Sequence, residues 1–538
     1  MFEQIYKGCY RLGWQLKQLV LDAKRSFVFY IILLQLASIL IVSGKGAGQI
    51  YLDMFLILLA ITLVTYFLVR IHGGNIKIAI YTIVLLTIGT MLQSIFREEA
   101  VLANPEVWAM KNPAAGLQMQ YIIAFLVAVF ASWIYKKGKF LAKPKTIKVM
   151  FWTSMLLYLF TLVLAKAVGN VKNWLVIGGF SVQTSEINKL LYLFLMAGIL
   201  GGVKHPSKRR IGFAFLVTIL NLGFLTLQSE FGTMLLILTV FPVYLLLFVP
   251  DLRVVLGTVA GFLGIGIGTA LVGNGISSYA AAHTAFANFF PVRFFLQNYN
   301  KIANRFIYWL HPEKDPMGLG YQMLKAKEAI VLGGWFGTDS VTNLPVKTSD
   351  MVFPALIERC GIIIAVLVLI IIIFLWLEGI RIFIRKKDRY HQAVCAGIVF
   401  MLFYQALIIV AGSCGMCPLT GITLPFISSG GSSLLVSAVM IGIVITISGD
   451  VEWEGEMDHE EEMELGFKFF KKDTDHTKHL PSLRHRYGAF INQNFSRLTR
   501  GFQKSGSGQG KSSTDEKSER VCEGTDCGQE RRNSGQLQ

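Results

Sequence analysis

Apolar runs of about 17–25 residues recur along this chain, each long enough to cross a hydrocarbon layer about 30 Å thick. They fall at 26–43, 50–71, 75–96, 119–135, 149–169, 187–202, 211–228, 233–249, 254–274, 351–379, 393–415 and 434–448. Of the 538 residues, 53% are hydrophobic and 16% charged. A soluble fold of this size cannot bury so much apolar surface. The pattern predicts an all-α polytopic membrane protein of about twelve transmembrane helices.

The formal net charge of +17 is not read as a nucleic-acid footprint, because membrane proteins collect Lys and Arg in cytoplasmic loops. Here "KKGKFLAKPKTIK" (136–148), "VKHPSKRR" (203–210) and "IRIFIRKKDR" (380–389) are basic, and the intervening loops are not. That alternation places both termini in the cytoplasm and the long loop 275–350 outside. Residues 1–25 are basic and amphipathic, with no small-residue cleavage site, unlike a secretory signal. Three parts emerge: 1–74 with two spans, a membrane core 75–449, and a tail 450–538.

The tail begins acidic and ends rich in Ser, Gly and Gln, a composition of disorder. Its "SGSGQGKSS" looks like a phosphate-binding loop, but that motif needs Gly where Ser505 stands and a strand before it. An ATP-driven transporter is therefore not supported. Residues 481–504 alternate apolar and Arg positions at helical spacing, a basic amphipathic segment suited to an anionic leaflet or a partner helix. The C-x-x-C at Cys414 and Cys417 is read as packing, with an outward disulfide as the minor alternative. No H-E-x-x-H or paired Cys/His spacing supports zinc, and no G-x-S-x-G supports a serine hydrolase.

The stretch "LPVKTSDMVFPALIERCG" (344–361) carries Asp350 into an apolar run that also holds Glu358 and Arg359. On one continuous helix those two lie about 12 Å beyond Asp350. Ionisable groups in lipid cost about 2.5–3.5 kcal/mol each on insertion scales. Other polar islands flank span ends on the same side: Glu186 and Lys189 at i, i+3 spacing, Glu230, and the Gly/Ser turn "GITLPFISSGGSSLL" (421–435). Each alone reads as a salt bridge or a packing turn. Together with Arg305, Lys325 and Lys327 in the long loop, they predict one shared anionic-ligand site. Amphipathic segments of that loop are expected to lie on the membrane surface.

In order along 75–449, these motifs resemble the SEDS family (shape, elongation, division and sporulation), the group of RodA, FtsW and SpoVE. "NWLVIGGFSVQTSEINKL" is similar to the family's RWI-x-x-G-x-F-x-x-QPSE-x-x-K, and "QSEFGT" to QPDLGT. "NRFIYWLHPEKDPMGLGYQMLKAKEAI" resembles R-x-x-x-FL-x-P-x-x-DP-x-G-x-GYQ-x-x-x-x-x-x-AI. "LPVKTSDMVFPALIERCG" follows LPE-x-x-TDFIFAVI-x-EELG, and "TGITLPFISSGGSSLL" follows TG-x-PLPF-x-SYGGSSL. Thr184, Glu230, Ser349, Arg359 and Ser429 stand where the family has Pro, Asp, Thr, Glu and an aromatic residue. The family has ten spans; 26–43 and 50–71 are two more. The chain reads as a divergent member.

The resemblance implies a peptidoglycan glycosyltransferase that polymerises lipid II, working with a class B penicillin-binding protein and other elongation or division proteins. The matching Asp is the family's catalytic residue, so Asp350 is expected to act as general base. Arg305, Lys189, Lys327, Gln322, Ser428, Gly430, Gly431 and Ser432 are expected at the substrate, with Glu186, Glu230 and Glu358 as supporting charge. A divalent cation, Mg or Mn, is one way to steady the pyrophosphate, and the residues leave the metal open. The alternatives are a lipid II flippase and a catalytically inactive scaffold.

Overall fold

The computed structural model describes residues 27–449, apart from 45–47, 104–112, 138–140, 142, 165, 169–170, 178–179, 316 and 341. The expectations for 1–25, the acidic tail and the amphipathic segment 481–504 lie outside the described residues. Helices α1 (Phe27–Gly44), α2 (Gly48–His72), α3 (Ile76–Ala103), α4 (Pro113–Lys137) and α5 (Pro144–Leu164) come first. Strands β1 (Lys166–Val168), β2 (Val171–Ile177) and β3 (Phe180–Gln183) follow, then α6 (Thr184–Met196), which ends in a π-helical turn Ala197–Gly201. Next come α7 (Lys208–Leu227), α8 (Phe231–Phe248) and α9 (Leu252–Ala282). Beyond them lie the short α10 (Thr284–Asn288), then α11 (Phe290–Leu310), α12 (Leu319–Gly333), α13 (Val352–Arg385) and α14 (Arg389–Ser413). The last described helix is α15 (Gly431–Gly449).

Every expected apolar span carries a helix, and among the described residues nine are long and apolar enough to cross a membrane. This is the build of a multi-pass membrane protein. Several begin where a short polar side chain satisfies a first-turn amide. Ser207 accepts from the Arg210 amide, Asp251 from Arg253, and Asp388 from His391.

The structure corrects the sequence reading at four places. The chain is not purely helical: β1–β2–β3 form an antiparallel meander, with Trp174 opposite Gln183 and Val176 opposite Ser181. β-Branched residues in "VKNWLVI" favour that extended form, so the span expected to reach residue 169 stops at Leu164. The ninth span runs on to Ala282 instead of ending at 274. The stretch expected as the outer loop is mostly helical, with α10, α11 and α12 inside it. Of these, α11 docks on the core: Asn298 accepts from the Ser229 hydroxyl at 2.9 Å, and Trp309 donates to the Gly415 carbonyl at 2.8 Å.

The fourth correction concerns the charges in 351–379. Helix α13 is broken at Gly361, whose φ of 84° lies in the left-handed region. The turn after α12 inserts at the break. Thr338 donates its amide to the Glu358 carbonyl at 2.7 Å, and Ile362 donates to the Gly334 carbonyl at 2.9 Å. The backbone groups orphaned by the break are thus paired inside protein. Glu358 and Arg359 therefore end a short buried half-helix and do not extend into lipid. The Glu358 carboxylate accepts from the Thr342 amide and hydroxyl at 2.7 and 2.6 Å. Arg359 pairs with Glu99 of α3 and donates to the Thr338 and Asp339 carbonyls.

Candidate functional site

Asp350 lies in the turn Val346–Met351 that leads into α13, where Ser349 and Met351 both donate their amides to the Val346 carbonyl. Val346 has a φ of 54°, which is costly for a β-branched residue. The N-cap position of α13 belongs to Met351, and no side chain caps it. Asp350 is thus not held as a helix cap. Its carboxylate is bonded by Ser349 and faces Arg305.

Arg305 reaches this point from α11 and donates Nη1 to the Leu419 carbonyl at 3.0 Å. Asp350 and Arg305 meet over Gly421: a Cβ on that glycine would lie 3.5 Å from Asp350 Oδ2 and 3.9 Å from Arg305 Nη2. Burial pushes the Asp350 carboxyl above its usual range, and the Ser349 hydrogen bond and Arg305 offset this in part. Burial likewise lowers the Arg305 guanidinium, against the pull of Asp350 and Glu230.

The Gly/Ser turn straps this acid in place. Ser428 Oγ donates to the Ser349 carbonyl at 2.9 Å, and the Ser429 amide donates to the Thr348 carbonyl at 2.8 Å. Three non-glycine residues among those described have positive φ: Ser229, Val346 and Phe426. Each lies within a few residues of a site segment, namely Glu230, Asp350 and Ser428. Such strain costs about 1–3 kcal/mol per residue and gathers at functional sites.

The other expected residues are held in several different settings. Glu230 stands near Arg305 and accepts from Gln183 Nε2 at 2.6 Å. Lys327 is exposed on α12, beside Gly415 just past the end of α14, and Gln322 is half-buried five residues earlier. Ser432 Oγ accepts from the Gln183 amide at 3.4 Å, and Gly431 lies against Gln120. Glu186 and Lys189 form a buried pair at 2.8 Å, and Lys189 also donates to Gln405 at 3.2 Å. Gln405 donates onward to the Thr423 carbonyl at 2.9 Å. Lys189 thus supports the Gly/Ser turn from below. Glu358 is held by Thr342, on the far side of the half-helix. Lys325, expected among the basic groups, pairs with Glu328 at 2.7 Å.

Among the described residues no three His, Cys, Asp or Glu side chains converge. Asp350 and Glu230 are the carboxylates that act on Arg305, and no step below runs through a metal. Cys414 and Cys417 are free thiols.

Residues that motif reading missed come from α3. Gln93 donates to the carbonyls of Thr348 and Ile427, each at 3.1 Å. Glu99 pairs with both Lys347 and Arg359. The signal was present as a glutamine in a span whose other interior polar residues are the small hydroxyls Thr82, Thr87, Thr90 and Ser94.

The model of the cell cycle protein family that takes in FtsW, RodA and SpoVE matches residues 101–452. The chain belongs to this family. It is 30% identical to the stage V sporulation protein E of Bacillus subtilis over 315 residues, 55% of this chain and 79% of that protein. It is 27% identical to the FtsW of Trichlorobacter lovleyi, called a probable peptidoglycan glycosyltransferase, over 70% of this chain and 95% of that one. It is 28% identical to the peptidoglycan glycosyltransferase MrdB of Escherichia coli, over 51% of this chain and 70% of that one. A solved peptidoglycan synthase complex, described as coordinating polymerization and crosslinking, aligns with a TM-score of 0.52 and 19% identity. That alignment covers 70% of this chain and 98% of the other; at that identity the likeness is one of fold. In this FtsW/RodA/SpoVE member Arg359 is paired with Glu99.

Proposed function

We propose that this chain polymerises lipid II into glycan strands at the outer face of the cytoplasmic membrane, as an inverting peptidoglycan glycosyltransferase. The observation that carries the reading is the Asp350 carboxylate held opposite Arg305 in a turn before α13, in a chain whose relatives bear that activity in their names. The donor is an undecaprenyl-pyrophosphate-linked disaccharide, and the nucleophile is the GlcNAc 4-hydroxyl of a second molecule. As the hydroxyl oxygen bonds to the donor's anomeric carbon, its proton passes to Asp350. The bond from that carbon to the pyrophosphate breaks, and the electron pair leaves with the pyrophosphate. A positioned base contributes about 10²–10⁴-fold. The raised pKa of Asp350 moves its basicity toward that task. Arg305 supplies positive charge where the leaving group gains negative charge, and Glu230 balances Arg305 when no substrate is bound.

A cleft of about 660 Å³ runs between α2, α3, α4 and α15, lined by residues such as Ile83, Phe125, Phe426 and Ile441. Phe426, two residues before Ser428, is the part of the strapping turn that lines this cleft. Its apolar walls suit the substrate's polyprenyl chain. In this reading twelve helices cross the bilayer, both termini are cytoplasmic and α10–α12 lie on the outer face. The partner is a single-span class B penicillin-binding protein that crosslinks the strands.

Purified protein given labelled lipid II yields a glycan ladder on a gel, and Asp350→Asn protein does not. A lipid II flippase, the competing reading, moves labelled lipid across vesicles and leaves no ladder.

A further inference from the structure

We propose that one face of α3 is the positioning element for the catalytic turn, with Gln93 as its working residue; the inference rests on the glycosyltransferase reading of Asp350. Gln93 is 2% exposed and lies before residues 101–452, the part matched by the family model. Its side-chain amide donates to two carbonyls on different segments, Thr348 and Ile427, each at 3.1 Å. Thr348 is two residues before Asp350. Ile427 adjoins Ser428, whose hydroxyl donates to the Ser349 carbonyl. One amide therefore fixes the separation between the acid's turn and the strap that holds it.

The rest of the face fits that task. Gly89 lies one turn below Gln93, on the same side of the helix. A Cβ on Gly89 would run into the Phe426 carbonyl oxygen and lie 2.9 Å from Ile427 Cα, so the glycine lets the strap reach Gln93. One turn above, the Phe96 ring lies 5.2 Å from Lys347 Nζ, and Glu99 pairs with Lys347. Val346 and Phe426, with φ of 54° and 66°, are the strained residues of the two segments that Gln93 joins. Backbone in those conformations persists only where its surroundings over-determine it. A displacement of about 1 Å at a reacting group can cost about 10²-fold in rate.

The test uses full-length protein in nanodiscs, with Gln93→Leu and Gln93→Glu beside wild type. Amide exchange is read first, since it does not depend on activity. In Gln93→Leu, exchange over 346–351 and 426–430 accelerates, while α14 and the Glu186–Lys189 region keep their protection. Unchanged exchange there overturns the proposal. Next, polymerisation is followed from lipid II. Gln93→Leu lowers kcat about tenfold or more and leaves the KM for lipid II within about twofold. Gln93→Glu faces two acceptors and can donate only when protonated. Its activity relative to wild type therefore rises between about pH 8 and about pH 6, reversibly in one preparation, whereas Gln93→Leu stays flat. A flat Gln93→Glu ratio, or wild-type kcat in both variants, also overturns the proposal. If wild type makes no polymer, the glycosyltransferase reading fails, and exchange alone decides whether α3 positions the turn.

Discussion

Asp350 and Arg305 converge over Gly421 from segments 45 positions apart, with Asp350 Oδ2 3.5 Å and Arg305 Nη2 3.9 Å from where the glycine's Cβ would be. The pair is an acid and a cation that face each other in a half-buried site.

Asp350→Asn removes basicity with little change of shape, so polymerisation falls by about 10²-fold or more while folding and partner binding persist. Asn caps helices well, so a capping Asp would tolerate this change. The structure places no cap bond there. Near-normal polymer from well-folded Asp350→Asn protein would reject the base.

Burial raises the Asp350 pKa above its unfolded value. The protonated acid is therefore favoured in the folded state. That stabilising contribution is full below the unfolded pKa and is lost as pH rises through the folded one. Thermal unfolding at neutral pH should show Asp350→Asn at least as stable as wild type, with the difference closing in acid. Because Arg305 holds the Asp350 pKa down, Arg305→Gln should move the acidic limb of the rate profile to higher pH. An unmoved limb would separate the two residues.

Arg359, which is buried, pairs with the partly exposed Glu99 at the break in α13. Arg359→Glu sets two like charges together, and breaking such a pair costs about 3–5 kcal/mol. Glu99→Arg combined with Arg359→Glu should recover part of the loss of melting temperature. Additive losses in the double variant would show that the pair is not coupled.

Gly361→Ala places a side chain at a φ of 84° and drives its Cβ into the Trp335 carbonyl. The half-helix or the inserted turn must then move. Yield and melting temperature should fall sharply, and an unaffected variant would contradict the break.

Topology is testable at Met317, which is 92% exposed, in a background lacking Cys414 and Cys417. Met317→Cys should react with an impermeant maleimide from outside, and Cys522 and Cys527 of the tail only after lysis. Gly320 is unsuitable, because a Cβ there collides with the Pro312 carbonyl.

The sequence by itself determined the helices and the acid. Span length and hydropathy are local properties, fixed by the thickness of the bilayer, and the ordered motifs singled out Asp350, Arg305 and the "PFISSGG" turn. Tertiary structure decided how those pieces are held. No local signal marks Gly361 as a break, because its carbonyls and amides are satisfied by a turn about 25 residues earlier in the chain. Glu358 and Arg359 looked alike as intramembrane charges, and Lys189 looked like a substrate cation at a span end. Their roles differ because Thr342, Glu99 and Glu186 with Gln405 happen to face them. Gln93 was one polar residue in an apolar span until packing brought two carbonyls to its amide. Hydrogen bonds and ion pairs act over a few ångströms in space, and partners far apart in the chain become neighbours only when the helices pack.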